Sequence, residues 1–109
     1  MDMNEYQYRA GTTALYPNRG RNLVYPTLGL VGEAGEIANR VKKIQRDDGG
    51  VLTEERRAII AKELGDTLWY VSQVAHEIGH TLDGIAQANL DNLAGRKQRG
   101  TLHGDGDNR

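Results

Sequence analysis

The residues of this chain whose types and spacing could do chemistry fall in three places. "GLVGEAGEI" carries Glu33 and Glu36, three apart. "KELGDTLWY" carries Glu63 and Asp66 at the same spacing, and "HEIGH" sets His76 and His80 on either side of Glu77. Residues three apart on a helix lie on neighbouring turns of one face, so each acid pair presents two carboxylates together. If the two helices are antiparallel neighbours, four acidic groups face one another near a buried seam. Carboxylates gathered in this way repel one another and are expensive to take out of water, and a divalent cation removes both problems. All-oxygen ligand sets select hard ions, Mg2+ or Mn2+, over zinc. Mg2+ retains waters and commonly joins carboxylates to substrate phosphates, so the pattern points to phosphate ester or anhydride chemistry.

"HEIGH" offers a competing chemistry. It fits H-E-x-x-H, in which two histidines on one helix face hold zinc and the glutamate stands beside a bound water. A catalytic zinc of that class needs a third protein ligand. The longer form of the motif asks for Gly and a third His at positions filled here by Asp83 and Ala86. No glutamate follows Glu77, and the one later histidine is His103, in the terminal stretch. Glu77-x-x-His80 is also half of the ligand set of a di-iron carboxylate bundle, which wants two such motifs. Without a metal, histidines at this place are favoured by the negative end of a helix. The acid pairs are the stronger signal. The alternatives are a non-enzymatic helical metal-binding or interaction module, or a zinc hydrolase acting through His76, Glu77 and His80.

The elements that must position these residues are helices, and the fold class expected is all-α, four-helix-bundle-like. A first helix runs from about Asn4 to Leu15 and ends before Pro17. A second covers about Leu23 to Gln45, or starts only after Pro26. The "RDDGG" of residues 46–50 breaks the chain, and Thr53 caps a third helix that reaches about Ile78, with Glu54 and Glu55 in its first turn. A fourth spans about Leu82 to Arg99. On the third helix, Leu64, Leu68, Val71, Ala75 and Ile78 form one apolar stripe, widened by Ile60, Trp69 and Val74. Such a helix lies centrally and is covered from more than one side. Gly29, Gly32, Gly35 and Gly65 are interleaved with the acids, each at a cost of roughly 1 kcal/mol against Ala. Helices that tolerate this gain close backbone approach or room for a ligand.

With 109 residues the chain is expected to be one domain, residues 1–99, followed by a flexible tail, 100–109. A net charge of −1 gives no general pull toward nucleic acid or acidic membranes. Cys is absent, which excludes disulfides and thiolate metal sites. No signal-peptide layout and no membrane-spanning apolar run occurs. The expected location is cytoplasmic. Phe is missing and Trp occurs once. In so short a chain the core is small, and self-association is a way to hide the remaining apolar helix faces.

"EAGE" followed by "ELGD", with residues 37–62 between them, resembles the E-x-x-E…E-x-x-D pattern of the all-α nucleoside triphosphate pyrophosphohydrolases. The chain is similar to single-domain MazG-like proteins from roughly Tyr6 to Arg99. That resemblance implies that Glu33, Glu36, Glu63 and Asp66 hold Mg2+, with Mn2+ as a substitute. It implies a metal-activated water attacking the α-phosphorus of a (d)NTP, with Glu36 or Glu33 assisting and Glu36 preferred. The products would be a nucleoside monophosphate and pyrophosphate. Tyr70 matches an aromatic position of the second motif, and Asn89 matches the Asn of the family's later N-x-x-K. The Lys of that motif is replaced here by Asn92, so Arg96, Lys97 or Arg99 would have to supply the cation, with Lys43 a further candidate. Tyr6, Tyr8, Tyr16, Tyr25 and Trp69 are the groups available to stack on a base. A homodimer or homotetramer with sites near subunit interfaces, and a role in clearing unwanted nucleotides, complete what the resemblance implies.

Overall fold

In the computed structural model, which describes residues 1–109, every regular element is a helix. They are α1 (Met3–Gly11), α2 (Val24–Asp47), α3 (Glu54–Glu77) and α4 (Leu82–Arg99). The all-α, four-helix reading therefore holds. No helix is long and apolar enough to cross a membrane.

Helix α1 is shorter than its sequence suggests. It stops at Gly11, where the Thr12 and Thr13 hydroxyls donate back to the carbonyls of Arg9 and Ala10. These side-chain bonds offer the backbone an alternative to another helical turn. Helix α2 starts before Pro26, which sits buried in its first turn, where a missing N–H costs nothing. The Asn22 side chain accepts from the Tyr25 N–H there. The break at 46–50 is built as expected: Gly49 and Gly50 take positive φ, and Asp48 pairs with Arg56 at 2.9 Å. Thr53 then caps α3 by accepting from the Arg56 N–H.

Helices α2 and α3 form an antiparallel hairpin that is the spine of the molecule, and α1 lies across α3. α3 is thus covered by two elements. Its stripe is buried in the middle, at Ala75, and open at both ends, at Leu64 and Ile78. α4 packs chiefly against α1 rather than along the hairpin. Asn4 and Gln7 of α1 hold its start, accepting from the N–H groups of Asp83 and Leu82. Beyond Leu82 nearly all of α4 is exposed. The radius of gyration is 16.8 Å, against about 13 Å for a compact chain of this length. Gly100, with φ of 71°, ends α4. The residues after it form no helix and are tied to α4 by Arg96, which donates to the Asp107 carbonyl.

"HEIGH" is the end of α3. Gly79 takes φ of 74°, its N–H donates to the His76 carbonyl, and the His80 N–H donates to the Ala75 carbonyl. This is a Schellman ending. His80 therefore lies past the helix, and the two histidines do not share one helical face. Glu77 is committed elsewhere. Its carboxylate accepts from the Gly20 N–H (2.9 and 2.7 Å to its two oxygens), the Asn22 N–H (3.1 Å) and the Tyr16 hydroxyl (3.1 Å). Burial, then the bond to Glu77, pushes the Tyr16 hydroxyl up to about 12. The zinc-hydrolase alternative fails on this geometry: the glutamate that would stand beside the water instead anchors the loop between α1 and α2.

The role of Glu77 gives a direct test. Glu77→Ala leaves two backbone donors without their charged acceptor, a loss of about 2 kcal/mol. For a domain of this size that is a fall of roughly 8 °C in thermal midpoint. His76→Ala should leave the midpoint within about 2 °C, as surface changes do. Thermal unfolding followed by circular dichroism measures both.

Candidate functional site

The α2–α3 seam carries the acids. Reading along it, Gly29 lies against the Tyr70 ring, Glu33 meets Asp66 and Glu63, and Arg40 reaches Glu63 at 3.6 Å. Rising numbers on α2 thus meet falling numbers on α3, which is the antiparallel pairing the spacing requires. Glu33, Glu63 and Asp66 each offer a carboxylate oxygen within 4.8 Å of the others. Glu63 is buried and Glu33 half-buried.

This gathering is electrostatically costly. Burial, followed by a hydrogen bond with Glu63 and the charges of Asp66, Glu63 and Glu36, raises the pKa of Glu33 above the ordinary carboxylate range. A single cation, Arg40, faces three acids. Its Nε is buried and has no hydrogen-bond partner, so it is held for its charge rather than by good bonding geometry. The three clustered carboxylates are an all-oxygen donor set that suits a hard divalent ion.

A cavity of about 390 Å3 opens beside the acids, lined by Glu33, Asp66, Thr13, Trp69 and Tyr70. Gly29 is what lets Tyr70 sit there: a Cβ at that position would overlap the tyrosine ring. Gly32, Gly35 and Gly65 have open space where a Cβ would be, so close approach explains one of the four interleaved glycines. Burial first, then neighbouring Tyr25 and Glu33, raises the Tyr70 pKa and keeps it a neutral hydroxyl beside the acids. The Trp69 indole N–H donates to Thr13 Oγ1 at 2.9 Å and meets Tyr70 edge-on, with centroids 5.0 Å apart.

A model of the MazG nucleotide pyrophosphohydrolase domain matches residues 26–100 of the chain. The chain belongs to this family. It is 50% identical, over 114 aligned residues and the full length of both, to "Gene 37 protein" of Mycobacterium phage L5. No solved structure matches. The MazG match spans both acid motifs and all of α2 except Val24 and Tyr25.

Of the MazG-type residues named from sequence, Glu33, Glu63, Asp66 and Tyr70 come together. Glu36 is exposed one turn further along α2 and lies outside the three-carboxylate group, acting on it through charge. Lys43 is half-buried on α2 beyond Arg40. Asn89, Arg96 and Lys97 lie on α4 and do not line the cavity. Arg96 is buried, bonded to the Asp107 carbonyl. Sequence reasoning missed Arg40 and Thr13. Arg40 was findable, since it falls seven residues after Glu33 on the same helical face. Thr13 was hidden by a first helix drawn too long.

Removing one charge should relieve the cluster. Because the folded chain holds the Glu33 proton more tightly than the unfolded chain does, metal-free protein loses stability as pH rises through the raised Glu33 pKa. Glu33→Gln should therefore raise the metal-free midpoint at pH 7.5, with the gain shrinking as pH falls toward the ordinary carboxylate range. Added Mg2+ should reverse the order. Wild type should gain about 1.4 kcal/mol for each tenfold excess of the ion over its Kd, and the variant less, in a thermal-shift titration.

Proposed function

We propose that the protein is a Mg2+-dependent pyrophosphohydrolase that converts (d)NTP to (d)NMP and pyrophosphate. The observation that carries this reading is the three-carboxylate cluster of Glu33, Glu63 and Asp66, opening onto a cavity, in a chain of the MazG family. The donor set fits Mg2+, with Mn2+ as a substitute. The chemistry such an ion supplies when bound is neutralisation of phosphate charge and a lowered pKa for water.

The chain's own residues do the rest. Glu33, Glu63 and Asp66 would hold the ion, which would supply positive charge for the triphosphate. Arg40 offsets part of their repulsion and fixes Glu63. Glu36 has no hydrogen bond or ion pair in the structure and is exposed, which suits the acceptor of the proton from the attacking water. Glu33 is the other candidate for that role. Tyr70 offers a neutral hydroxyl to a phosphate oxygen.

Self-association is part of the same reading. Val24, Leu28 and Val31 form an exposed apolar stripe on α2, and Leu90 and Leu93 lie open on α4. With a radius of gyration well above that of a compact chain, these faces call for cover. A homodimer or homotetramer would supply it. The biological role we infer is clearance of unwanted nucleotides in the cytoplasm.

The test is hydrolysis of a panel of (d)NTPs with Mg2+ in 18O-water. Pyrophosphate should be released and the label should appear in the monophosphate. Orthophosphate as first product, or label in pyrophosphate, would contradict attack at the α-phosphorus. Glu63→Gln and Asp66→Asn should each lower kcat/KM by about 100-fold or more, as loss of even an outer-sphere metal partner reaches that range.

A further inference from the structure

A second cavity, of about 490 Å3, adjoins the acid-lined one and shares Thr13 and Trp69 with it. Its character is different. Met1, Tyr6 and Ala10 supply an apolar wall, Arg9 is its one ionised side chain, and no carboxylate lines it. Trp69 thus stands where an anionic chamber suited to a cation and its phosphates meets an apolar chamber suited to a flat, uncharged group. The indole is fixed there twice, by its N–H bond to Thr13 and by edge contact with Tyr70. Thr13 is itself fixed, its hydroxyl donating to the Ala10 carbonyl at 2.7 Å. A rigid aromatic ring at such a boundary is a stacking platform at low entropic cost.

We infer that Trp69 is the platform for the nucleobase, with the Met1–Tyr6–Ala10 wall enclosing the base while the triphosphate lies over Glu33 and Asp66. This inference rests on the nucleotide reading of the acid site and adds where the base goes. A triphosphate ester joins a strongly anionic group to a flat heterocycle, and the two chambers match those halves in order. Arg9, a donor only, stands at the rim of the apolar chamber, where base oxygens and ring nitrogens would meet it.

Trp69 is the one tryptophan of the chain, so its fluorescence reports on the platform directly. The full-length protein is titrated, with Mg2+, against a nucleoside triphosphate whose α,β-bridging oxygen is replaced by a methylene, and separately against inorganic tripolyphosphate. Stacking predicts saturable quenching by the nucleotide and little change with tripolyphosphate. Trp69→Ala should raise the KM for nucleotide roughly tenfold and leave tripolyphosphate affinity, measured by calorimetry, within twofold of wild type. Trp69→Phe, which keeps an aromatic face, should restore most of the loss.

Nucleotide binding seen by calorimetry with no change in Trp69 emission would overturn the proposal, as would equal quenching by tripolyphosphate. The wild-type titration needs neither turnover nor a folded variant. Quenching without pyrophosphate release from an ordinary substrate would sink the hydrolase reading and leave the platform standing. Pyrophosphate release with silent emission and an unchanged KM in Trp69→Ala would do the reverse.

Discussion

The constraint on which the rest of the structure depends is like-charge repulsion across the α2–α3 seam. Burying the apolar faces of the two helices forces Glu33, Glu63 and Asp66 to within 4.8 Å of one another. A purely structural hairpin would be expected to place lysines or small neutral residues there, since unpaired buried carboxylates are costly. One arginine, 3.6 Å from Glu63, is the only counter-charge paired with the three. The raised Glu33 pKa is the local expression of that imbalance. An arrangement that destabilises the bare chain is readily understood if the working molecule carries a divalent ion at this place.

Around the seam, other choices follow from keeping its cavity open and shaped. Gly29 admits Tyr70 against the α2 backbone. Trp69 is held between Thr13 and Tyr70. The far end of α3 is organised by polar bonds more than by apolar packing: Gln73 is fully buried and accepts from Arg19, and Glu77 gathers the loop from Tyr16 to Asn22. These bonds fix the segment that follows α1, which supplies Thr13, while α1 supplies Tyr6, Arg9 and Ala10 to the wall of the second cavity. The "HEIGH" motif thus serves the site indirectly. Its glutamate holds a loop, its Gly79 turns the chain, and its second histidine falls beyond the helix end.

Much of this was legible in the sequence, for identifiable reasons. Four helices could be drawn because the breakers are strong, above all "RDDGG" and the Thr53 cap, and the fourth helix falls where the pattern puts it. The acid pairs could be matched because three-residue spacing fixes a helical face whatever the tertiary context. The end of α1 was not legible, since the Thr12 and Thr13 back-bonds that stop it compete with a pattern that would allow another turn. Nor could spacing separate Glu36 from Glu33. Both belong to one face, and only the rotation of α2 against α3 leaves Glu36 outside the group. The standing of α4 was hidden for a different reason: its apolar residues declare a need for cover but not whether the cover lies in the same chain.

The central claim is that the three carboxylates form one cation site. It is tested most directly by crystals of the full-length protein grown with millimolar Mn2+ and measured for anomalous scattering. The account predicts a single strong peak between Glu33, Glu63 and Asp66 in every copy, lost in Asp66→Asn. An empty seam at that concentration, or a peak only beside His76 and His80, would contradict it.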